Sequence, residues 1–451
     1  MVKIGLEIHA YLDTNKKLFC ECLAMHGVKN AKPNTNICPI CTGQPGCKPM
    51  LPNSKAVTKA IQVSLLLGCK INEKVSWFRK HYSWTDLPKG YQNTISGPHA
   101  TTNAVNGKFE GIKIREIHLE EDPAAWNPQT GEIDYNRSGS PLIEIVTEPD
   151  FKSSEQVLDW IKKLITTLSY IKAIDKTAGL KADVNVSIPN TARTEIKNIN
   201  SLTNIQRAIE YEIKRHEKEK PIKQETRMFD DKKGLTIPMR SKEQADDYRF
   251  ISDPDLPVLQ IDKKRIQKIK SELPETPSAK LKKLIKKHKI EKKFAEILAK
   301  KLELVEFFEK VSEKINPSLA IPWITGELLS VLNYQKKELD EVEIKVEHFI
   351  ELLKLVEKKI LTELKAQEIL RKFIPKSFSP EALAKKSPQI SNQKELEKIV
   401  SKVIKENPKA VEDYKSGNQN SLNFLIGQVM RLSDKRADFK VARNLLLKNL
   451  K

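Results

Sequence analysis

Pro141-Leu142-Ile143-Glu144-Ile145-Val146-Thr147 is an aliphatic, β-branched run broken by one carboxylate. It is too short for a helix, and its branched side chains favour an extended strand. Four more stretches read the same way: Val2 to Ile8, Ile112 to Leu119, Ala182 to Ile188 and Glu195 to Ile199. Clusters of Gly, Pro, Asn and Asp separate them, as turns do. Helical periods lie between. Ser54 to Leu67 is one, and Ile199 to Lys218 is another. Ser153 to Ile171 places Val157, Leu158, Ile161, Leu164, Ile165 and Leu168 on one face. Strands and helices do not alternate as regular βαβ units. The pattern predicts an α+β domain with a largely antiparallel sheet over residues 1–262.

A proline-rich stretch from Asp253-Pro254 to Thr276-Pro277 then changes the composition to Lys, Leu, Glu and Ile at helical spacing. A helical domain is expected over 263–385. After the breaks at Ile374-Pro375 and Ser387-Pro388, a small all-α tail domain is expected over 386–451. A chain of 451 residues is too long for one core in any case. Against 59 acidic residues stand 79 basic ones, a net charge of +20. That surplus points to a polyanionic partner such as nucleic acid, with a well-solvated surface as the bland alternative. Aromatic content of 6% argues against a row of stacking platforms. No basic segment precedes an apolar one at the start, and no run reaches membrane-span length, so a cytoplasmic protein without a membrane segment is expected. Six cysteines in a reducing compartment do not make a disulfide framework.

Cys20-Glu21-Cys22 and Cys38-Pro39-Ile40-Cys41 have the spacing of a four-thiolate zinc site, closed to water and therefore structural. A reactive dithiol is the competing reading. Gly43 is expected to let backbone amides approach the sulfurs. Cys47 and Cys69 are expected to be ordinary buried thiols. A second set is harder: Glu7 and His9 alternate on one strand, Glu120 follows His118 on another, and Glu144 interrupts a third. A carboxylate in an apolar strand is costly unless paired or metal-bound. Convergence on Mg²⁺ and separate salt bridges to lysine are both open. Arg79-Lys80-His81-Tyr82 and Asp86-Leu87-Pro88-Lys89-Gly90-Tyr91-Gln92 interleave basic and aromatic residues around a turn, as a phosphate site or a solvated loop would. There is no phosphate-loop motif, no dinucleotide fingerprint and no hydrolase elbow.

Gly5-Leu6-Glu7-Ile8-His9, Asp86 to Gln92, Ile117-His118-Leu119-Glu120-Glu121-Asp122, Asp134-Tyr135-Asn136-Arg137, Pro141 to Asp150 and Thr194 to Ser201 together resemble one family. It is the B-subunit family of the tRNA-dependent amidotransferases. The resemblance is specific through about residue 260. It continues more weakly through Val411 to Gly417 and Phe424 to Met430. It implies a ligase that uses ATP to phosphorylate the side-chain carboxylate of misacylated Glu-tRNA(Gln) or Asp-tRNA(Asn). Ammonia made by a glutaminase A subunit then amidates it, a small C subunit completing the complex. By resemblance, Glu7, His9, Glu120 and Glu144 surround Mg²⁺. Lys80, Lys89, Asp183 and Asn185 lie in the ATP pocket, and Cys20, Cys22, Cys38 and Cys41 hold Zn²⁺. The tail domain contacts tRNA. Lys181 stands where members usually have Arg, and a lysine lacks the planar fork for a bidentate phosphate contact. Ser138-Gly139-Ser140 and Asp434 to Phe439 also depart from the family pattern. A zinc-containing tRNA-binding or assembly subunit without catalysis is the alternative.

Overall fold

The structure is a computed structural model that describes residues 1–26, 28, 31–175, 178–241, 248–386, 388–390 and 393–450. The expected break at Ser387 falls outside that set. The chain divides into two compact units, Met1–Thr276 and Pro277–Lys451.

The first unit is built on one sheet. In chain order its strands are β1 (Lys3–Tyr11), β2 (Lys70–Ile71), β3 (Phe78–His81), β4 (Tyr91–Thr94), β5 (Ala104–Phe109), β6 (Ile112–Glu121), β7 (Pro141–Thr147), β8 (Leu180–Ser187), β9 (Thr194–Ile199), β10 (Glu225–Asp230), β11 (Leu235–Ser241) and β12 (Ile251–Ser252). Their order is β11-β10-β9-β8-β1-β7-β6-β4-β3-β12, with β5 also on β6 and β2 on β5. Among the described residues every pairing is antiparallel except β9 with β10. The α+β reading holds.

Three helices back one face of this sheet. They are α1 (Ser54–Leu66), α2 (Ser154–Tyr170) and α3 (Leu202–Glu219). Each starts on a residue whose side chain accepts from the first-turn amides: Asn53, Ser153 and Ser201. The Ser201 cap starts α3 three residues later than periodicity suggests, because Ile199 is still paired in β9. Ile4, Leu6 and Ile8 of β1 share a core with Ile143 and Ile145 of β7, Val57 and Ile61 of α1, Val157, Ile161 and Leu164 of α2, and Ile205 and Ile209 of α3. Each such side chain contributes roughly 1.5–3 kcal/mol by leaving water. Strand alternation therefore turns Glu7, His9 and Tyr11 to the opposite face, which no helix of the core covers. A fourth helix, Lys263–Glu272, joins this unit through Ile269 in the same core and Arg265, which donates to Thr58 Oγ1 at 3.0 Å.

The second unit is helical. One apolar cluster runs from Leu284 to Ala384 and another from Ile390 to Leu450. They are joined by Lys365–Asp434 at 2.7 Å and by backbone bonds Gln389 N to Ile360 O at 2.7 Å and Ile390 N to Arg436 O at 2.9 Å. No described helix is long and apolar enough to cross a membrane.

Candidate active site and metal centres

Register decides which polar residues meet on the uncovered face. On β1 and β7, His9 lies opposite Glu144, and Glu144 lies opposite His118 of β6. On β8, Lys181 lies opposite His9, Asp183 opposite Glu7 and Asn185 opposite Gly5. Directly paired residues share a face, so four strands present one charged surface. It floors a cavity of about 730 Å³ whose lining includes Glu7, His9, Lys80, Glu120, Glu144, Lys181, Asp183 and Lys197.

The four residues grouped in the sequence as magnesium ligands fall into two clusters. In the first, His9 Nε2 lies 4.0 Å from Glu120 Oε1 and 3.8 Å from Glu144 Oε2. The three ligand atoms of this cluster are within 4.8 Å of one another. An ion centred in a triangle with edges of about 4 Å sits about 2.3 Å from each corner, which small side-chain shifts bring to Mg²⁺ distances. The residues therefore fit a hard cation. Burial raises the pKa of the Glu120 carboxyl, and Glu144 adds to it. Burial works the same way on Glu144, but His118 and His9 outweigh it and hold that carboxyl below its ordinary range. His118 lies 3.6 Å from Glu144 and 3.5 Å from Glu116. Burial opposes its charging, yet those two carboxylates lift its pKa to about 10.

Glu7 belongs to the second cluster, with Asp183 and Glu195. Asn185 Nδ2 donates to Glu7 Oε1 at 3.2 Å. Lys197 stands among them, 2.9 Å from Asp183 and 2.5 Å from Glu195. Burial alone would discharge Lys197, but Asp183 and Glu195 outweigh it and raise its pKa above the ordinary lysine range. Burial, helped by Glu144, raises the Glu7 carboxyl.

Lys80 lines the cavity with its ammonium 4.8 Å above the Tyr248 ring. Lys89 does not line it. Its ammonium pairs with Glu121 and donates to Asn93 Oδ1 at 2.5 Å, in a separate small recess. Arg79 is bound by Asp253 at 3.0 Å and Asp255 at 2.8 Å, so it ties β3 to the segment after β12. Residues that the sequence reading did not assign to the site include Tyr11, Asp122, Arg137 and Lys197, which line the cavity, and Glu195, which pairs with Lys197.

The four sulfurs of Cys20, Cys22, Cys38 and Cys41 also lie within 4.8 Å of one another. Cys38 Sγ and Cys41 Sγ are 3.9 Å apart. A zinc tetrahedron with Zn–S of about 2.3 Å has edges of about 3.8 Å, so this set fits zinc. A hydrogen bond with Cys20, the Cys38 amide and the Lys17 ammonium lower the Cys41 pKa against the effect of burial, while the same bond and burial raise that of Cys20. The Cys38 amide donates to Cys41 Sγ at 3.2 Å, whereas the Gly43 amide donates to Ile40 O at 3.1 Å. Gly43 has φ +69° and lies so close to Pro88 that a Cβ would meet the Pro88 carbonyl oxygen at 2.5 Å. Cys69 is buried as expected, but Cys47 is exposed, in a turn closed by its amide to Gln44 O at 3.1 Å.

Residues 2–267 match the GatB/GatE catalytic domain, and residues 306–450 match the GatB domain. A Methanocaldococcus jannaschii protein named as the B subunit of aspartyl/glutamyl-tRNA(Asn/Gln) amidotransferase is 42% identical over 471 residues, covering 100% of this chain and 98% of its own. Proteins of the same name from Methanopyrus kandleri, at 41% with 100% and 98% covered, and Methanobrevibacter smithii, at 41% with 99% of each covered, are similar throughout. From the strands of the large sheet to the last helix, this chain belongs to the GatB/GatE family of amidotransferase B subunits.

Proposed function

We propose that the cavity activates and amidates the side-chain carboxylate of a glutamyl or aspartyl group carried on tRNA(Gln) or tRNA(Asn). The observation that carries this reading is the convergence of His9, Glu120 and Glu144 on a cavity floor ringed by Lys80, Lys181 and Lys197. A carboxylate is a poor acyl donor, because its leaving group would be oxide. Its oxygen attacks the γ-phosphorus of ATP, the bond to the bridging oxygen breaks, and ADP departs. Ammonia then attacks the acyl carbon, the C–O bond to phosphate breaks, and a proton is released.

His9, Glu120 and Glu144 would hold Mg²⁺, which when bound neutralises charge on transferring phosphoryl oxygens. Lys80 and Lys181 place ammonium charge where phosphates would lie. Asp183 and Glu195 keep Lys197 charged and in place. Asn185 orients the Glu7 carboxylate. The four-cysteine knuckle would hold Zn²⁺ in a structural role. Ammonia comes from a glutaminase A subunit, with a C subunit, in the cytoplasm. The region 386–451 grips the tRNA.

The test is amide formation by the purified complex given ATP, glutamine and misacylated tRNA. Glutaminyl- or asparaginyl-tRNA should appear with stoichiometric ADP and phosphate. A complex that makes neither on either tRNA overturns the reading.

A further inference from the structure

None of the knuckle's sulfurs lines the cavity. Yet the short strand Ile133–Asp134 and the turn that follows it are bound to the knuckle along their length. Asn34 N donates to Asp134 Oδ1 at 2.9 Å, and Tyr135 N donates to Asn34 Oδ1 at 2.7 Å. Asn136 is 3% exposed. Its Oδ1 accepts from Thr35 N at 2.9 Å and Asn36 N at 2.8 Å, and its Nδ2 donates to Lys32 O at 2.8 Å. Ser138 Oγ donates to Cys41 O at 2.7 Å. Lys17, 1% exposed, donates to Cys41 Sγ at 3.4 Å and to Tyr135 O at 3.0 Å.

Arg137 sits between Asn136 and Ser138 but reaches the other way, into the cavity wall. Its Nε lies 3.1 Å from Asp122 Oδ2 and donates to Pro123 O at 3.0 Å, and its Nη2 donates to Ala124 O. Asp122 also accepts from Tyr11 Oη. One short loop therefore holds the knuckle with its flanking residues and the cavity with its central one.

The partners that the knuckle offers Asp134, Tyr135 and Asn136 come from the stretch between Cys22 and Cys38. Among its described residues there is no helix or strand. Its first part is held by Ala24 N, which donates to Asn15 O at 3.0 Å, and by His26, stacked on the Tyr11 ring and 3.6 Å from Asp175. A metal bound by all four thiolates would add a cross-link at the two ends, and without it the amides of Thr35 and Asn36 would be held less firmly for Asn136. A buried carboxamide with three bonds to satisfy is then left to move, and Arg137 moves with it.

We propose that Asn136 is a positioning residue through which the metal-loaded knuckle sets the place of Arg137 in the cavity wall, coupling metal retention to ligand occupancy of the cavity. The proposal rests on the reading of that cavity as the ATP and aminoacyl-tRNA site. Coupling of this kind is reciprocal: if bound metal favours the ligand-ready wall, bound ligand must favour the metal-loaded knuckle.

The experiment uses the whole complex, with cobalt in place of zinc and excess Mg²⁺ present. Thiolate-to-cobalt absorption reports the knuckle, and a chromophoric chelator reports metal release. In the wild type, Mg-ATP or misacylated tRNA should shift the cobalt bands saturably and slow release at least threefold. Asn136→Ala should bind the same amount of metal and lose both responses. Its KM for the responding ligand should rise about tenfold, while kcat changes less than threefold. Asn136→Asp keeps an acceptor for both amides and should recover most of the response. Ser138→Ala, which removes the tie to Cys41, should weaken it in the same direction and decides the case if Asn136→Ala does not assemble. An active wild-type complex whose cobalt spectrum and release rate ignore both ligands overturns the coupling. So do variants that respond as the wild type does. An inactive wild-type complex would instead count against the proposed function of the cavity.

Discussion

Glu120→Gln tests the histidine–carboxylate centre with the least change in shape. Glu120 is 4% exposed, accepts from Thr94 Oγ1 at 3.2 Å, and turns its other oxygen to His9 Nε2 at 4.0 Å. An amide keeps the volume and the Thr94 contact. It removes one of the two negative charges that the site offers a cation. At about 2.3 Å, one unit charge and a divalent ion attract by on the order of 10 kcal/mol at an effective dielectric of about 20, an upper bound that ion dehydration largely offsets. A net loss of about 3–4 kcal/mol is the scale expected for charge stabilisation by a catalytic ion. At about 1.4 kcal/mol per decade, Mn²⁺ affinity and tRNA-dependent ATP cleavage should each fall by about 10²–10³-fold. Manganese paramagnetic resonance on the whole complex measures the first, and ADP release at saturating substrates the second. Assembly of the complex and its zinc content should not change. Affinity and turnover both within threefold of the wild type would refute the assignment of this centre.

Elemental analysis should find about one zinc per chain, and Cys38→Ser should lower melting more than it lowers rate at saturating substrate; metal-free protein with unchanged melting contradicts this. The chain alone should release no ammonia from glutamine but should support amidation when the A and C subunits, or concentrated ammonium, are supplied; glutamine hydrolysis by the pure chain would sink the partner reading. Glu212 is fully buried, 2.9 Å from Arg215 and 3.2 Å from Arg227, so Glu212→Ala leaves two guanidiniums with only the more exposed Glu219 and Glu225 as carboxylate partners and should cost about 3 kcal/mol, seen as a lower urea midpoint. Burial alone would raise its pKa, but His216, Thr236 and Arg215 hold it below the ordinary 4.5; its contribution is therefore complete above that value and lost as pH falls through the lower folded one, an acid limb that the variant should lack. Truncation after residue 385 should leave a folded catalytic unit with a higher KM for misacylated tRNA and a shallower salt dependence, because fewer phosphate contacts release fewer counterions; identical KM and salt slope would show that the tail is no part of the grip.

The central strands were legible because β-branched residues dominate them, and Pro141–Thr147 is bounded in the structure as it reads in the sequence. Phe78–His81 and Tyr91–Thr94 were not, since Phe-Arg-Lys-His and Tyr-Gln-Asn-Thr have no apolar alternation. They are strands because they pair with each other and because Asp253 and Asp255 hold Arg79. His9, Glu120 and Glu144 stood out as polar breaks in apolar runs. Lys197 did not, because a lysine alternating along a strand reads as a solvent-facing one. Only the pairing of β8 with β9, with its register shift between Ala182 and Val184, sets Lys197 beside Asp183. Arg137 was beyond reach for a further reason. It bonds to Asp122, Pro123 O and Ala124 O, while its neighbour Asn136 bonds to residues about a hundred positions earlier, and no local periodicity encodes those contacts.

The sorting of carboxylates into two clusters has a physical cause that the residue types conceal. Both clusters are at least half-buried, and three acidic or imidazole groups close together need a cation. Around Glu7, Asp183 and Glu195 the chain supplies its own, Lys197, at 2.9 Å and 2.5 Å. Around Glu120 and Glu144, among the described residues, it supplies the imidazoles of His9 and His118 at 3.6–4.0 Å and the more distant charge of Lys80, and no lysine or arginine lies within ion-pair distance of either glutamate. An ammonium fixed by two carboxylates cannot be exchanged during turnover and acts as permanent scaffolding. On the function proposed above, His9, Glu120 and Glu144 would take a divalent ion arriving with the phosphates it neutralises. The neighbouring clusters would then divide the work of one cavity: the fixed Lys197 ammonium shapes one part of the floor, and the other would receive an incoming ion.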